Sequence, residues 1–209
     1  MKKREIKRNI ENNILKLELT NETIDDIYES LSKIIKLCNK KYMIELFYNN
    51  KKVDIDYITK NNITDKKIID IIEVSHTINI KNIEEKFNYI YDTVCAKLDE
   101  RIKTNYCEFK DDICVKYRKK GSNHKNGCCE CKGRGKCKYL IDSVCTMKSC
   151  MACKLFTCHT LKTMGITQNI NDFVLTKYFF TSKQKDILQF SYWTPKEIIM
   201  KKLLKTIKK

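Results

Sequence analysis

Apolar residues recur at helical spacing through the first half of the chain. After Asn21, the residues Ile24, Ile27, Tyr28, Leu31, Ile34, Ile35, Cys38 and Tyr42 share one face, which predicts an amphipathic helix. A second stripe, Ile83, Phe87, Ile90, Tyr91, Val94, Leu98 and Ile102, predicts a long helix that Asn82 is suited to cap. Cys38 and Cys95 fall on or beside these stripes and read as small buried apolar residues. Between the stripes, YITKNNITDKKIIDII over 57–72 predicts two helices joined by a short loop with Asn62 in the turn. A helix-turn-helix core, with Ile58, Ile63, Ile68 and Ile71 inside, is the alternative.

Residues 107–165 have a different pattern. Ten of the twelve cysteines and two of the three histidines fall between 107 and 159, and four of the five glycines between 121 and 135. From about 166 helical spacing resumes. TPKE at 194–197 reads as a helix start, with Thr194 as cap, Pro195 at the first helical position and Glu197 closing a capping box. Ile198, Ile199, Leu203 and Leu204 form the apolar side of that last basic helix. The expected architecture is mostly α: a helical domain over 1–106, a cysteine-rich metal module over 107–165, and C-terminal helices over 166–209.

Composition narrows the setting. No run of about 18 apolar residues occurs, so no membrane-spanning helix is expected. The basic first residues never reach the apolar stretch of a secretory signal, so a cytoplasmic protein with reduced thiols is expected. The formal charge is +16. Only five of the basic residues are arginine, and abundant Lys, Asn, Ile and Tyr match AT-rich codon usage, so the charge by itself is a weak pointer to nucleic acid.

The cysteine spacing carries the chemistry. Cys128 and Cys131 form one C-x2-C pair, and Cys150 and Cys153 form another eighteen residues later, the spacing of a four-thiolate zinc site. KCKYLIDSVCTMK reads as a hairpin turning near Asp142–Ser143, and CMACKLFTCHTLKTM as a helix whose positive end favours bound thiolate. Knuckle, hairpin and helix in that order describe a treble-clef-like module. Cys107, Cys114, Cys129, Cys137, Cys145 and Cys158 are candidates for a second site, with His124 or His159 as substitutes. A rival partition reads Cys145, Cys150 and Cys153 as the C-x4-C-x2-C of plant-type ferredoxins. Cys128, Cys131 and Cys137 are likewise loosely similar to the WhiB-like iron–sulfur regulators, without their glycine-rich turn. An exported chain could instead pair these cysteines as disulfides.

The stretch CCECKGRGKCKYLIDSVCTMKSCMACKLFTC, 128–158, resembles the YkgJ-like zinc- or iron-chelating cysteine-cluster proteins. The vicinal Cys128–Cys129 and the closely following Cys131 carry the resemblance, although the order and spacing of the remaining cysteines depart from it. It implies metal binding and no particular activity.

The function expected is a cytoplasmic metal-binding protein, zinc preferred, acting as a binding or regulatory module for nucleic acid or a protein partner. Lys132, Arg134, Lys136 and Lys138 around the knuckle are the candidate nucleic-acid contacts. The alternative is an iron–sulfur redox or iron sensor or electron carrier. Catalysis has the least support: the deaminase H-x-E…P-C-x-x-C, H-E-x-x-H, phosphate-loop and nucleophile-elbow patterns are all missing from the sequence, and no small-molecule substrate is expected.

Overall fold

The computed structural model describes residues 9–38, 41–102, 109–110, 113–114, 140–141, 144–145 and 150–207. The chain forms two compact units, one from Met1–Ile90 with Val174–Thr181, the other from Tyr91–Phe173 with Ser182–Lys209.

The first unit holds a four-stranded sheet that the helical expectation for 1–106 did not include. Its order is β1 (Ile10–Glu11), β2 (Ile14–Leu19), β3 (Met43–Tyr48), β4 (Lys51–Val53). The reason is visible in ILKLEL. Leu15, Leu17 and Leu19 are buried while Lys16 and Glu18 are exposed, a period of two that no helix face can satisfy. β2 and β3 are parallel, from Ile14↔Met43 to Leu19↔Tyr48. Parallel neighbours need a crossover, and the helix α1 (Ile24–Cys38) supplies it.

Two paired asparagines close the antiparallel hairpins. Asn12 and Asn13 (φ 48° and 63°) join β1 to β2, and Asn49 and Asn50 (φ 50° and 58°) join β3 to β4. Left-handed φ at both central residues is the type I′ turn, whose twist matches that of the flanking strands. Asparagine enters that region more readily than other non-glycine residues.

α1 buries Ile24, Ile27, Leu31, Ile34, Ile35 and Cys38, as its stripe requires. Tyr28 is half-buried, and its hydroxyl donates to Asp70 at 3.3 Å. Tyr42 lies beyond the helix, which ends at Cys38. Two helices follow, α2 (Ile55–Lys60) and α3 (Lys66–Asn79), with Asn62 at φ 49° in the connection. α2 buries no residue. The pair is therefore two short-linked helices, without the buried first helix of a helix-turn-helix core.

Asp65 caps α3, its Oδ1 accepting from the amides of Lys67 (2.7 Å) and Ile68 (3.1 Å). α3 packs against both α1 and β3 and is buried nearly all round, Asp70 and Glu73 included. Lys66 answers the buried Asp70 carboxylate at 2.5 Å. At its far end the Asn79 amide stands in for a missing strand: Ile44 N donates to Asn79 Oδ1 at 2.9 Å, and Asn79 Nδ2 donates to Ile44 O at 2.8 Å.

α4 (Ile83–Ile102) gives its first half to one unit and its second half to the other. Asn82 caps it as expected, accepting from the amides of Glu84 (2.9 Å) and Glu85 (3.0 Å). Phe87, Ile90, Tyr91, Val94 and Leu98 are buried, whereas Ile83, in the first turn, is exposed.

The second unit contains two minimal hairpins, β5 (Phe109–Lys110) with β6 (Ile113–Cys114) and β7 (Leu140–Ile141) with β8 (Val144–Cys145). The second pair flanks 142–143, where the turn is expected, but those two positions lie outside the described residues. The long helix expected over CMACKLFTCHTLKTM is instead broken into α5 (Met151–Leu155) and α6 (His159–Thr163). Phe156 is extended (φ −65°, ψ 124°), and its side chain is partly exposed while Thr157 and Cys158 turn inward. Gly165 (φ 76°) then ends α6, its amide donating to Lys162 O at 3.0 Å.

A 3₁₀ turn (Ile170–Asp172) is followed by α7 (Val174–Phe179) in the first unit, and by α8 (Ser182–Phe190) and α9 (Lys196–Lys205) in the second. The capping box expected at TPKE does not form. Pro195 itself is the cap, and the Thr194 hydroxyl donates back to Tyr192 O at 3.2 Å. α9 buries Ile199, Met200 and Leu203, leaving Ile198 outside. Among the described residues no helix is long and apolar enough to cross a membrane.

Candidate metal centre

Cys150 stands at the N-cap of α5 with φ −99° and ψ 102°, one residue before helical geometry begins. Cys153 is one turn further on. The C-x2-C spacing therefore sets both sulfurs at the start of one short helix, as the sequence reading of this pair requires. α5 is too short to hold its own shape, so its support must be tertiary.

Two contacts supply that support. The Met151 amide, one of the orphan donors of the helix start, donates to Tyr91 Oη of α4 at 3.0 Å. Both residues are fully buried, so water has no access to that amide. Lys154 pairs with Asp99, also on α4. A separate ion pair ties α9 to α4, with Lys196 reaching both carboxylate oxygens of Asp92 at 2.7 Å.

The turn 191–194 faces the two sulfurs. Cys150 Sγ lies 3.5 Å from Ser191 O, a contact in which the neutral thiol donates and which the thiolate gives up. The Trp193 amide donates to Cys153 Sγ at 3.5 Å. Trp193 is held at φ 56°, a left-handed conformation uncommon for a bulky residue, so the surroundings must impose it. Tyr192 packs near it at 6.0 Å and makes an edge contact with Phe156 at 6.3 Å.

The electrostatics favour a thiolate at Cys150. The Cys153 side chain hydrogen-bonds it, and the amides of Cys153, Thr194 and Trp193 also point to it; together they outweigh burial and bring it from an ordinary 9.0 down to about 6. Cys95, buried on α4 in the same unit, behaves oppositely, since burial pushes its thiol up to about 12 despite the nearby Lys154 ammonium. Cys38 is pushed up to about 11 by burial alone. These two remain thiols at neutral pH, consistent with packing roles.

Among the described residues, Cys150 and Cys153 are brought together. Cys158 is buried in the same unit, after the break between α5 and α6. Cys114 and Cys145 lie in β6 and β8, and only their backbone is described. Cys107, Cys128, Cys129, Cys131, Cys137 and His124 lie outside the described residues, as do Lys132, Arg134, Lys136 and Lys138. His159 opens α6, with only its backbone described. No group of three or more His, Cys, Asp or Glu side chains among the described residues is arranged to hold an ion. The described donor set is thus two thiols, a chemistry that fits half of a tetrahedral zinc or iron site.

Sequence reasoning missed the other half of this arrangement. Tyr91 read as one more member of an apolar stripe, and TPKE as a helix start only. The one local signal was SYWT, a polar–aromatic stretch just ahead of the single proline, where the chain leaves helical geometry. Comparisons with protein-family models, curated proteins and solved structures find no match.

Proposed function

We propose that the protein is a metal-binding module in which Cys150 and Cys153 supply two of four thiolates to a zinc ion, with Cys128 and Cys131 supplying the others. The observation that carries this reading is the set of backbone amides aimed at the sulfurs from the turn 191–194. Amide donors at a cysteine pair stabilise the thiolate form that a metal requires, and they cost nothing further when the ion binds. The antiparallel pairing of β7 and β8, followed by α5, agrees with the treble-clef-like order of hairpin and helix. Zinc would act there as a cross-link for a region rich in cysteine, lysine and glycine and sparse in large apolar residues. Cys107, Cys114, Cys129, Cys137, Cys145 and Cys158 are the candidates for a second site. In this reading the module works in the cytoplasm and presents a surface to nucleic acid or a protein partner.

The test is metal content on protein purified without oxygen, with Cys150→Ser beside it. About one or two zinc ions per chain, reduced by at least one in the variant together with a lower Tm, is the expected result. Unchanged metal and Tm in Cys150→Ser would falsify the assignment. Brown protein carrying iron and acid-labile sulfide would replace zinc with an iron–sulfur cluster, the redox-sensing alternative.

A further inference from the structure

A cavity of about 260 Å³ lies in the second unit beside α5, lined among others by Phe156, Phe190, Tyr192, Asn169, Gln189 and Lys162. Its composition is unusual for a surface depression. Phe190 is 66% exposed and Phe156 38% exposed, so two large rings face water that a folded chain would ordinarily cover. Amide side chains line the same cavity, and the one charged side chain of the lining is a lysine. The volume is below the ~300–1,000 Å³ of pockets for drug-sized ligands, so the space suits a single planar ring system.

We propose that this cavity takes one unpaired base of a single-stranded nucleic acid, stacked against Phe190 and the neighbouring rings, with Lys162 on an adjacent phosphate. The proposal deepens the binding-module reading above and rests on it. Every base offers a π-face to an aromatic side chain, and the Gln189 amide can donate to or accept from a base edge. Asn169, whose Oδ1 caps the 3₁₀ turn by accepting from the Asn171 amide at 2.8 Å, keeps its Nδ2 as a donor. Charge favours a polyanion: no carboxylate lines the cavity, and the chain carries 42 basic against 26 acidic residues. A duplex would keep its bases stacked inside and present none to such a space, which is why a single strand is specified.

Because a chain of +16 attracts any polyanion, mere binding is not the test. The decisive comparison is between a labelled oligothymidylate 12-mer and an abasic 12-mer with the same phosphates, measured by fluorescence anisotropy on the full metal-loaded chain. The base-bearing strand is expected to bind about ten-fold tighter, the typical worth of one base–aromatic stack. Phe190→Ala, at an exposed position that the fold does not need, should remove that difference while metal content stays as in the wild type. Lys162→Ala should keep the base preference and lower the salt slope by about 0.7.

Equal affinity for the two strands, or a Phe190→Ala variant with unchanged preference, overturns the proposal. So does competition by a polyglutamate peptide as effective as that by oligothymidylate, which would mark a site for acidic protein segments. Metal content measured on the same samples separates the two readings. Metal-free protein that keeps the base preference sinks the zinc site alone, and metal-loaded protein without the preference sinks the cavity alone.

Discussion

Replacing Tyr91 by Phe removes one oxygen and almost no packing volume, so its effect reads what the buried hydroxyl contributes. In the wild type, Tyr91 Oη accepts the Met151 amide at 3.0 Å, and neither residue is open to water. Burial also pushes the Tyr91 hydroxyl above its ordinary pKa, so it stays neutral throughout the working range. In Tyr91→Phe the amide loses its acceptor and cannot recruit solvent. A buried unsatisfied donor costs about 1–3 kcal/mol, and the ring itself stays in place, so about 2 kcal/mol is expected. For a chain of this size that corresponds to a Tm lower by about 4–8 °C. With a urea m-value of about 2 kcal/mol/M, it lowers the midpoint by about 1 M. The assay is urea unfolding followed by tryptophan emission, because the single tryptophan, Trp193, sits in the same unit on the turn that faces α5. Tyr91 is not a thiol, so metal content should hold while stability falls. A midpoint within 0.3 M of the wild type, at unchanged m, would mean that the Met151 amide finds another acceptor and that α5 does not depend on α4 as argued (roughly the ±0.5 kcal/mol of a neutral surface change).

Two further outcomes follow from the same structure. Cys150 is depressed to about 6 when folded against 9.0 for an ordinary thiol, first by its hydrogen bond with Cys153 and then by backbone amides. Its contribution to stability is therefore complete above pH 9 and lost as pH falls through about 6. Titrating thiolate absorbance of metal-free protein should show a step near pH 6 that Cys150→Ser abolishes; a first step only near 9 would refute the hydrogen bonding to Cys150 from Cys153 and the backbone amides together. Asn82→Ala deletes a cap that accepts two amides at the start of α4 and should cost about 1 kcal/mol by urea unfolding, whereas Asn82→Asp should be nearly neutral. Equal stability of the alanine variant would show that the cap is dispensable.

Elements whose information is local can be read directly along the chain. The α1 stripe, the α4 stripe with its Asn82 cap, the Asn62 turn and the burial of Cys38 and Cys95 are all legible, because period 3.6 and side-chain capping act within a few residues. The sheet was legible in principle, in the alternation of ILKLEL and in the two Asn-Asn turns, but asparagine abundance masked the turn signal. Other decisions belonged to tertiary structure. CMACKLFTCHTLKTM has the spacing of one helix, yet the chain breaks after Leu155 so that Thr157 and Cys158 can be buried, because packing outweighs propensity over so short a segment. Thr194 reads as a helix cap, yet it serves the turn whose amides face Cys150, forty-odd residues earlier in the chain. Spacing named the cysteine pair, but no spacing rule can name the Tyr91 hydroxyl and the Trp193 amide that support it. They meet the pair only once α4, α5 and the turn 191–194 have packed together, and non-local contacts leave no periodic trace in a sequence.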